Sequence, residues 1–155
     1  MPKPTKAEQM AMGEALIEAR SAIEHGDVPV GAVVLVGGEI IARRHNEREL
    51  SGDPTAHAEV LAMRDAAKAI GTWRLSEATL VVTLEPCPMC AGAAVNARLR
   101  RIVFGAPDPK AGACGSLYNL CADPRLNHEP EVVAGVRAEQ AGELLTAFFQ
   151  ERRPS

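Results

Sequence analysis

The sequence predicts a single α/β layered domain over residues 1–155, and three observations carry that reading. Segments of helical periodicity alternate with β-branched runs, in the order α-β-β-α-β-α-β-loop-β-α. The pair Gly37-Gly38 separates two strand-like runs by a two-residue hairpin signal, so part of the sheet is a hairpin. A chain of 155 residues with 46% apolar composition can bury one core, and no internal repeat, linker or low-complexity stretch divides it.

Each element has its own warrant. Residues 6–24 carry Met12, Leu16, Ala19 and Ile23 at helical spacing and stop near Gly26. Val28 to Val36 is a nearly continuous β-branched run ending at Gly37-Gly38, and Glu39 to Arg44 returns as its partner. Thr55 precedes a run of helix formers from Ala56 to Met63, which Gly71 closes. Thr79 to Leu84 reads as a buried strand, and Pro86 or Pro88 is placed to open a helix through Val95. Arg101 to Phe104 is a short strand, Gly105 to Ser116 a Gly-, Ala- and Pro-rich loop, Glu131 to Val136 a last strand and Glu139 to Arg152 a last helix.

Charge and composition narrow the function classes. Seventeen Lys and Arg against twenty Asp and Glu give a net charge of −3, which argues against nucleic-acid affinity resting on global positive charge. A local basic face stays open, because Arg98, Arg100 and Arg101 crowd one segment and Arg152 and Arg153 lie near the C-terminus. Solvated arginines at helix ends are the plainer reading of both groups. No apolar run approaches a membrane span, and Met-Pro-Lys-Pro-Thr-Lys leads into no apolar segment, so neither membrane insertion nor a secretory signal is expected. Four cysteines without a signal argue for a reducing compartment, with the cytoplasm as default.

The chemistry concentrates in His57-Ala58-Glu59 and Pro86-Cys87-Pro88-Met89-Cys90. These stretches offer three soft or borderline metal ligands, His57, Cys87 and Cys90, and one carboxylate that is not needed as a ligand. A catalytic zinc site requires that set: three protein ligands, a fourth position open to water and a proton carrier. A structural site would want a second ligand pair at finger-like spacing. Cys87 and Cys90 at a helix start turn both sulfurs to one point, where exposed N–H groups favour thiolate. With His57 read in the first helical turn, Glu59 lies about 200° around an ideal helix from it. Distortion of that turn, or a metal set over the helix end, is needed to bring both to one water. A redox pair is the competing reading of Cys87 and Cys90, but no thioredoxin-like opening accompanies it. Cys114 and Cys121 match no ligand spacing and read as buried thiols.

The combination His-x-Glu with Pro-Cys-x-x-Cys is the pattern of zinc-dependent nucleoside and nucleobase deaminases. Beyond it, Asp53 to Glu59 and Thr83 to Ala93 resemble the bacterial tRNA-specific adenosine deaminases. The likeness extends through Val30 to Val33, Asn46, Val103 to Ala106, Asp108, Lys110, Gly112-Ala113, Gly115 to Leu117, Asn127-His128 and Phe148-Phe149, covering about residues 8–153. It implies a cytidine deaminase-like three-layer α/β/α fold around a central five-stranded mixed sheet, usually assembled as a homodimer. It implies one Zn2+ per subunit on His57, Cys87 and Cys90, and Glu59 as catalytic proton shuttle. The substrate it implies is the anticodon loop of an arginine tRNA, whose wobble adenosine at position 34 becomes inosine. Asn46 would then contact the flipped adenosine, and Asp108, Lys110, Asn127, Phe149 and Arg153 would help to hold the loop.

Alternatives stay open at this point. Asp108 and Lys110 can simply structure their loop, Asn127 can cap a turn, and Phe149 can be core. A deaminase of a small free base, such as guanine or a cytosine compound, would share the metal motifs, and the acidic net charge suits it. A non-catalytic partner subunit would keep the metal and typically lose the carboxylate, which is present here as Glu59. Pro107 and Pro109 flank Asp108 and restrict its loop.

Overall fold

A five-stranded mixed sheet forms the centre of the computed structural model, which describes residues 2–152. The strands run in the order β2-β1-β3-β4-β5. β1 (Gly31–Val36) pairs antiparallel with β2 (Glu39–His45) on one side and β3 (Ala78–Leu84) on the other; β4 (Arg101–Ala106) and β5 (Glu131–Val133) continue parallel to β3. Gly37 and Gly38 both take positive φ, 59° and 81°, as a tight hairpin turn between right-twisted strands requires.

Strand alternation sorts the core into two layers. Val33, Leu35, Val81 and Val103 face α1 (Lys6–Ile23) and α5 (Ala138–Arg152), packing with Met12, Leu16 and Ala141. Ala32, Val34, Leu80, Val82, Ile102 and Phe104 face the other way, onto α3 (Ala58–Ile70) and α4 (Pro88–Asn96). The three-layer arrangement expected from the resemblance is the observed one. A Cβ on Gly31 would meet the amide nitrogen of Ala19 at 2.6 Å, so α1 lies directly on β1.

Helix α1 opens with a capping box: Thr5 Oγ1 accepts from the Glu8 amide at 3.1 Å and Glu8 returns a bond to the Thr5 amide at 2.8 Å. The same Glu8 carboxylate takes two bonds from Arg101, at 2.7 and 2.9 Å, and Arg101 also pairs with Glu131. Arg101 is therefore not a solvated arginine. It is 8% exposed and ties the start of β4 to α1 and β5.

Other departures have local causes. β1 starts at Gly31 rather than Val28, because Pro29 has no amide to donate and Val30 bonds back to the Val28 carbonyl. β5 stops at Val133 because Gly135 turns the chain with φ of 80°; Val136 recovers a single bond to the Phe104 carbonyl. β4 runs on through Gly105 and Ala106, shortening the expected loop. Two short elements were not foreseen: α2 (Arg48–Ser51) and a 3-10 turn at Leu120–Ala122.

This topology sets where chemistry can gather. The exits of β2, β3 and β4 and the approach to β1 lie at one end of the sheet, where the carboxyl ends of the parallel strands open. Val30, Asn46, Cys87 and Asp108 each sit just outside a strand at that end.

Candidate active site

His57 is not in the first turn of a helix. It is the N-cap of α3, with extended φ and ψ of −78° and 146°, and its carbonyl accepts the first helical bond from Leu61. Cys87 holds the same position on α4, with φ and ψ of −75° and 174°; Pro88 follows at the first helical position and Cys90 completes the turn. Two helix N-termini thus converge, and the side chains meet between them. The 200° separation of His57 and Glu59 on an ideal helix does not arise, because only Glu59 is helical.

His57 Nδ1 lies 3.6 Å from Cys87 Sγ and 3.4 Å from Cys90 Sγ. Tetrahedral zinc with its usual bonds to nitrogen and sulfur would set each N–S separation at about 3.6 Å. The three donor atoms fit a metal ion, and all lie within 4.8 Å of one another. Two thiolates and a neutral imidazole would balance a divalent ion.

The electrostatics follow from crowding. A hydrogen bond from Cys90, and then the His57 ring, bring the Cys87 thiol down to about 4. Cys90, beside that thiolate and buried, is pushed up. The bond to Cys87 raises His57. Glu59 is 4% exposed, and burial pushes its carboxyl above the usual range despite the pull of its own amide and of His57. A buried carboxyl beside the His57 and cysteine donors is placed to accept and return a proton.

Asn46 stands over this centre. Its Oδ1 accepts from the Ala58 amide at 2.8 Å and its Nδ2 donates to the Val28 carbonyl at 3.0 Å. A small cavity of about 160 Å³ is lined by Asn46, Arg48, His57, Glu59, Glu85 and Cys87, with Asp108 on its edge. Asp108 also edges a larger groove of about 860 Å³ that runs past Pro107 and Lys110 to Phe149 and Arg152 on α5.

The structure therefore brings His57, Cys87, Glu59, Asn46 and Asp108 to one cavity, with Cys90 buried behind it beside His57 and Cys87, and Lys110 and Phe149 to the adjoining groove. Phe149 is not core: it is half exposed, while Phe148 beside it is buried under the Arg152 guanidinium. Asn127 is exposed and lines neither space. Arg153 lies outside the described residues. Cys114 and Cys121 pair with each other at 3.9 Å, apart from the metal-ligand set. Sequence reasoning missed Arg48 and Glu85. The signal for Glu85 was an acidic residue ending an apolar strand directly before Pro86-Cys87.

A three-layer fold carrying a His/Cys/Cys set and a buried glutamate at the strand ends defines a deaminase. The chain belongs to the MafB19-like deaminase family, whose profile matches residues 6–153. It is 56% identical to the tRNA-specific adenosine deaminase of Bacillus subtilis, over 94% of this chain and 91% of that protein. Among solved structures it is similar to one from a study of A-to-I editing by tRNA:A34 deaminases at the wobble position of transfer RNA. That match has a TM-score of 0.85 and 46% identity, and covers 88% of this chain and 99% of the other. The guanine deaminase of Nitrosomonas europaea is more distant, at TM-score 0.77 and 26% identity over 96% of this chain and 87% of its own.

Proposed function

We propose that the protein is a zinc-dependent hydrolase that converts the wobble adenosine at position 34 of an arginine tRNA to inosine. The observation that carries the reading is the meeting of two spaces at Val28, Leu84 and Asp108: a small cavity lined by His57, Cys87 and Glu59, and a larger groove leading away along Lys110 and Phe149. A free base needs only the first. A base presented on a loop needs the second for its neighbours, with an aromatic face and a cation to replace lost stacking and meet phosphate. Identity to the Bacillus subtilis tRNA enzyme is 56% over 94% of this chain, against 26% to the Nitrosomonas guanine deaminase and 39% over 64% of this chain to a Bacillus subtilis guanine deaminase, and this supports the same choice.

His57, Cys87 and Cys90 would hold zinc, one ion per subunit. Bound there, it would act as a Lewis acid that lowers the pKa of water towards neutrality. Glu59 would accept a proton from the attacking water and deliver it to N1 of adenine, then carry the remaining proton of the new C6 hydroxyl to the departing amino group. A bond forms from the water oxygen to C6, the C6–N6 bond breaks, and ammonia leaves. Asn46 keeps the start of α3 fixed during these transfers and walls the cavity. Asp108, Lys110, Phe149, Asn127 and Arg153 are assigned to the anticodon loop.

The working unit is a homodimer, acting in the cytoplasm. Leu117 and Tyr118, 53% and 58% exposed, belong to the segment that packs beside Pro86 and give an apolar surface near the site for a second subunit. No helix among the described residues is long and apolar enough to cross a membrane. The test is a substrate panel: zinc-loaded protein with arginine tRNA, its isolated anticodon stem-loop, free adenosine and guanine. Both RNAs should yield inosine while the small molecules stay intact. Guanine turnover without inosine in either RNA would replace this reading with the free-base one.

A further inference from the structure

Glu85 leaves β3 one residue before Pro86, so the same turn of main chain fixes both it and Cys87. Its amide donates to the Ala106 carbonyl at 2.9 Å, joining the exits of β3 and β4. Its side chain is 2% exposed, and both oxygens are engaged by one loop. Oε1 accepts from the Asp108 amide at 3.0 Å and from the Ser116 hydroxyl; Oε2 accepts from the amides of Cys114 and Ser116, each at 3.0 Å. Despite its burial, these bonds hold the carboxyl below its ordinary range.

The loop is shaped to the carboxylate. A Cβ on Gly112 would collide with the Glu85 carboxyl group, so only glycine lets the chain wrap this closely. Gly112 itself is bonded back to the Asp108 carbonyl at 2.8 Å, and Ala113 to the Pro86 carbonyl at 2.8 Å. The Asp108 carboxylate is used within the loop, accepting from the Lys110 and Ala111 amides at 3.0 and 3.2 Å. What the loop presents is therefore a fixed wall: Asp108 at the junction of cavity and groove, with Lys110 beyond it.

We propose that Glu85 is a positioning residue for substrate recognition, clamping the loop of residues 108–116 so that Asp108 and Lys110 stand at the mouth of the catalytic cavity. This rests on the deaminase reading above, and it assigns Glu85 no contact with the reacting atoms. A buried carboxylate is costly unless it is well bonded, and four donors from one short loop make the loop's position and the carboxylate's burial mutually dependent. Glu85→Gln turns a donor group towards amides that themselves donate, which breaks the clamp with little change of volume. Ser116→Ala removes one contact from an exposed position and spares the fold.

The experiment uses zinc-loaded full-length protein and the arginine anticodon stem-loop, with zinc content, kcat, KM and amide hydrogen exchange measured on each variant. Glu85→Gln should keep one zinc per chain, raise KM about tenfold or more with a smaller change in kcat, and speed exchange at the Asp108, Cys114 and Ser116 amides. Ser116→Ala should move KM and exchange in the same direction by less, and Glu85→Asp should recover part of the loss. Unchanged loop exchange in Glu85→Gln overturns the clamp. Faster exchange with KM unchanged in both variants makes Glu85 structural only, and loss of zinc makes it a support of the metal instead. If the wild type forms no inosine on the stem-loop, the substrate reading fails separately, while the exchange data still decide the clamp.

Discussion

The side-chain oxygen of Asn46 accepts the amide hydrogen of Ala58 at 2.8 Å, and that bond joins the exit of β2 to the start of the helix carrying Glu59. An N-cap side chain normally accepts from the second or third helical amide and leaves the first to other partners; here the capping residue is His57, whose ring is turned to the cysteines, and the first amide, Ala58, is met by Asn46. Asn46 does the capping from a distance. Asn46→Ala leaves the buried Ala58 amide without a partner, at a cost of about 1–3 kcal/mol. We expect a lower melting temperature together with lower kcat per zinc-loaded molecule. A variant that melts as wild type and keeps full kcat would show that the Ala58 bond holds nothing in place.

Metal removal should separate fold from chemistry. The donor set sits on two helix N-termini at one end of a sheet whose apolar core is built from other residues, so a chelated protein should keep its far-ultraviolet dichroism while losing turnover. Zinc added back should restore activity with a stoichiometry of one per chain. Replacing Cys121 by Ser should leave that stoichiometry unchanged, since its partner is Cys114. A stoichiometry that falls with Cys121 would contradict the assignment of Cys87 and Cys90.

Acid stability should depend on Asp27. Burial pushes this carboxyl up, but the Glu49 and Leu50 amides at 2.9 and 3.2 Å and the His25 ring outweigh it, and it is held below its ordinary 3.8. A depressed pKa contributes stability that is fully present well above 3.8 and is lost as pH falls through the folded value. The melting gap between wild type and Asp27→Asn should therefore be widest near neutral pH and shrink as pH drops below 3.8. Both proteins are compared without metal, so that ligand protonation does not enter. A gap that stays constant down to pH 2 would remove Asp27 from the acid response.

Arg101 and Glu8 form a nearly buried pair, with side chains 10% and 5% exposed. Removing one partner strands the other charge, at about 3–5 kcal/mol. Arg101→Ala should lower the urea midpoint sharply, yet leave KM for RNA unchanged in molecules that remain folded. A rise in KM at constant stability would restore Arg101 to a basic RNA-binding face.

The His/Cys/Cys donor cluster was largely legible in the sequence because its residues fall in two short motifs, each read from neighbours in the chain. Position on the helix was not legible: His57 in a helical turn and His57 as N-cap differ by one residue, and the bond of the Ala58 amide to the distant Asn46 is part of what fixes it as the cap. Glu85 was hidden for a related reason. Its partners Asp108, Cys114 and Ser116 come from a distant loop, and no local periodicity reports such a fold-back. Phe149 could be read as core or as surface, and the structure puts Phe148 in the core and leaves its neighbour at the groove. The central strands and main helices followed from β-branched runs, Gly37-Gly38 and helical spacing. The last strand was overlong because Gly135 was passed over as a turn.

The most direct test compares wild type with Glu59→Ala on arginine tRNA bearing an unmodified wobble adenosine, with zinc content and inosine at position 34 measured together. The account predicts one zinc per chain in both proteins, inosine at position 34 with the wild type, and none with Glu59→Ala. Inosine formed equally by Glu59→Ala, or a zinc-loaded wild type that leaves adenosine 34 intact, would contradict it.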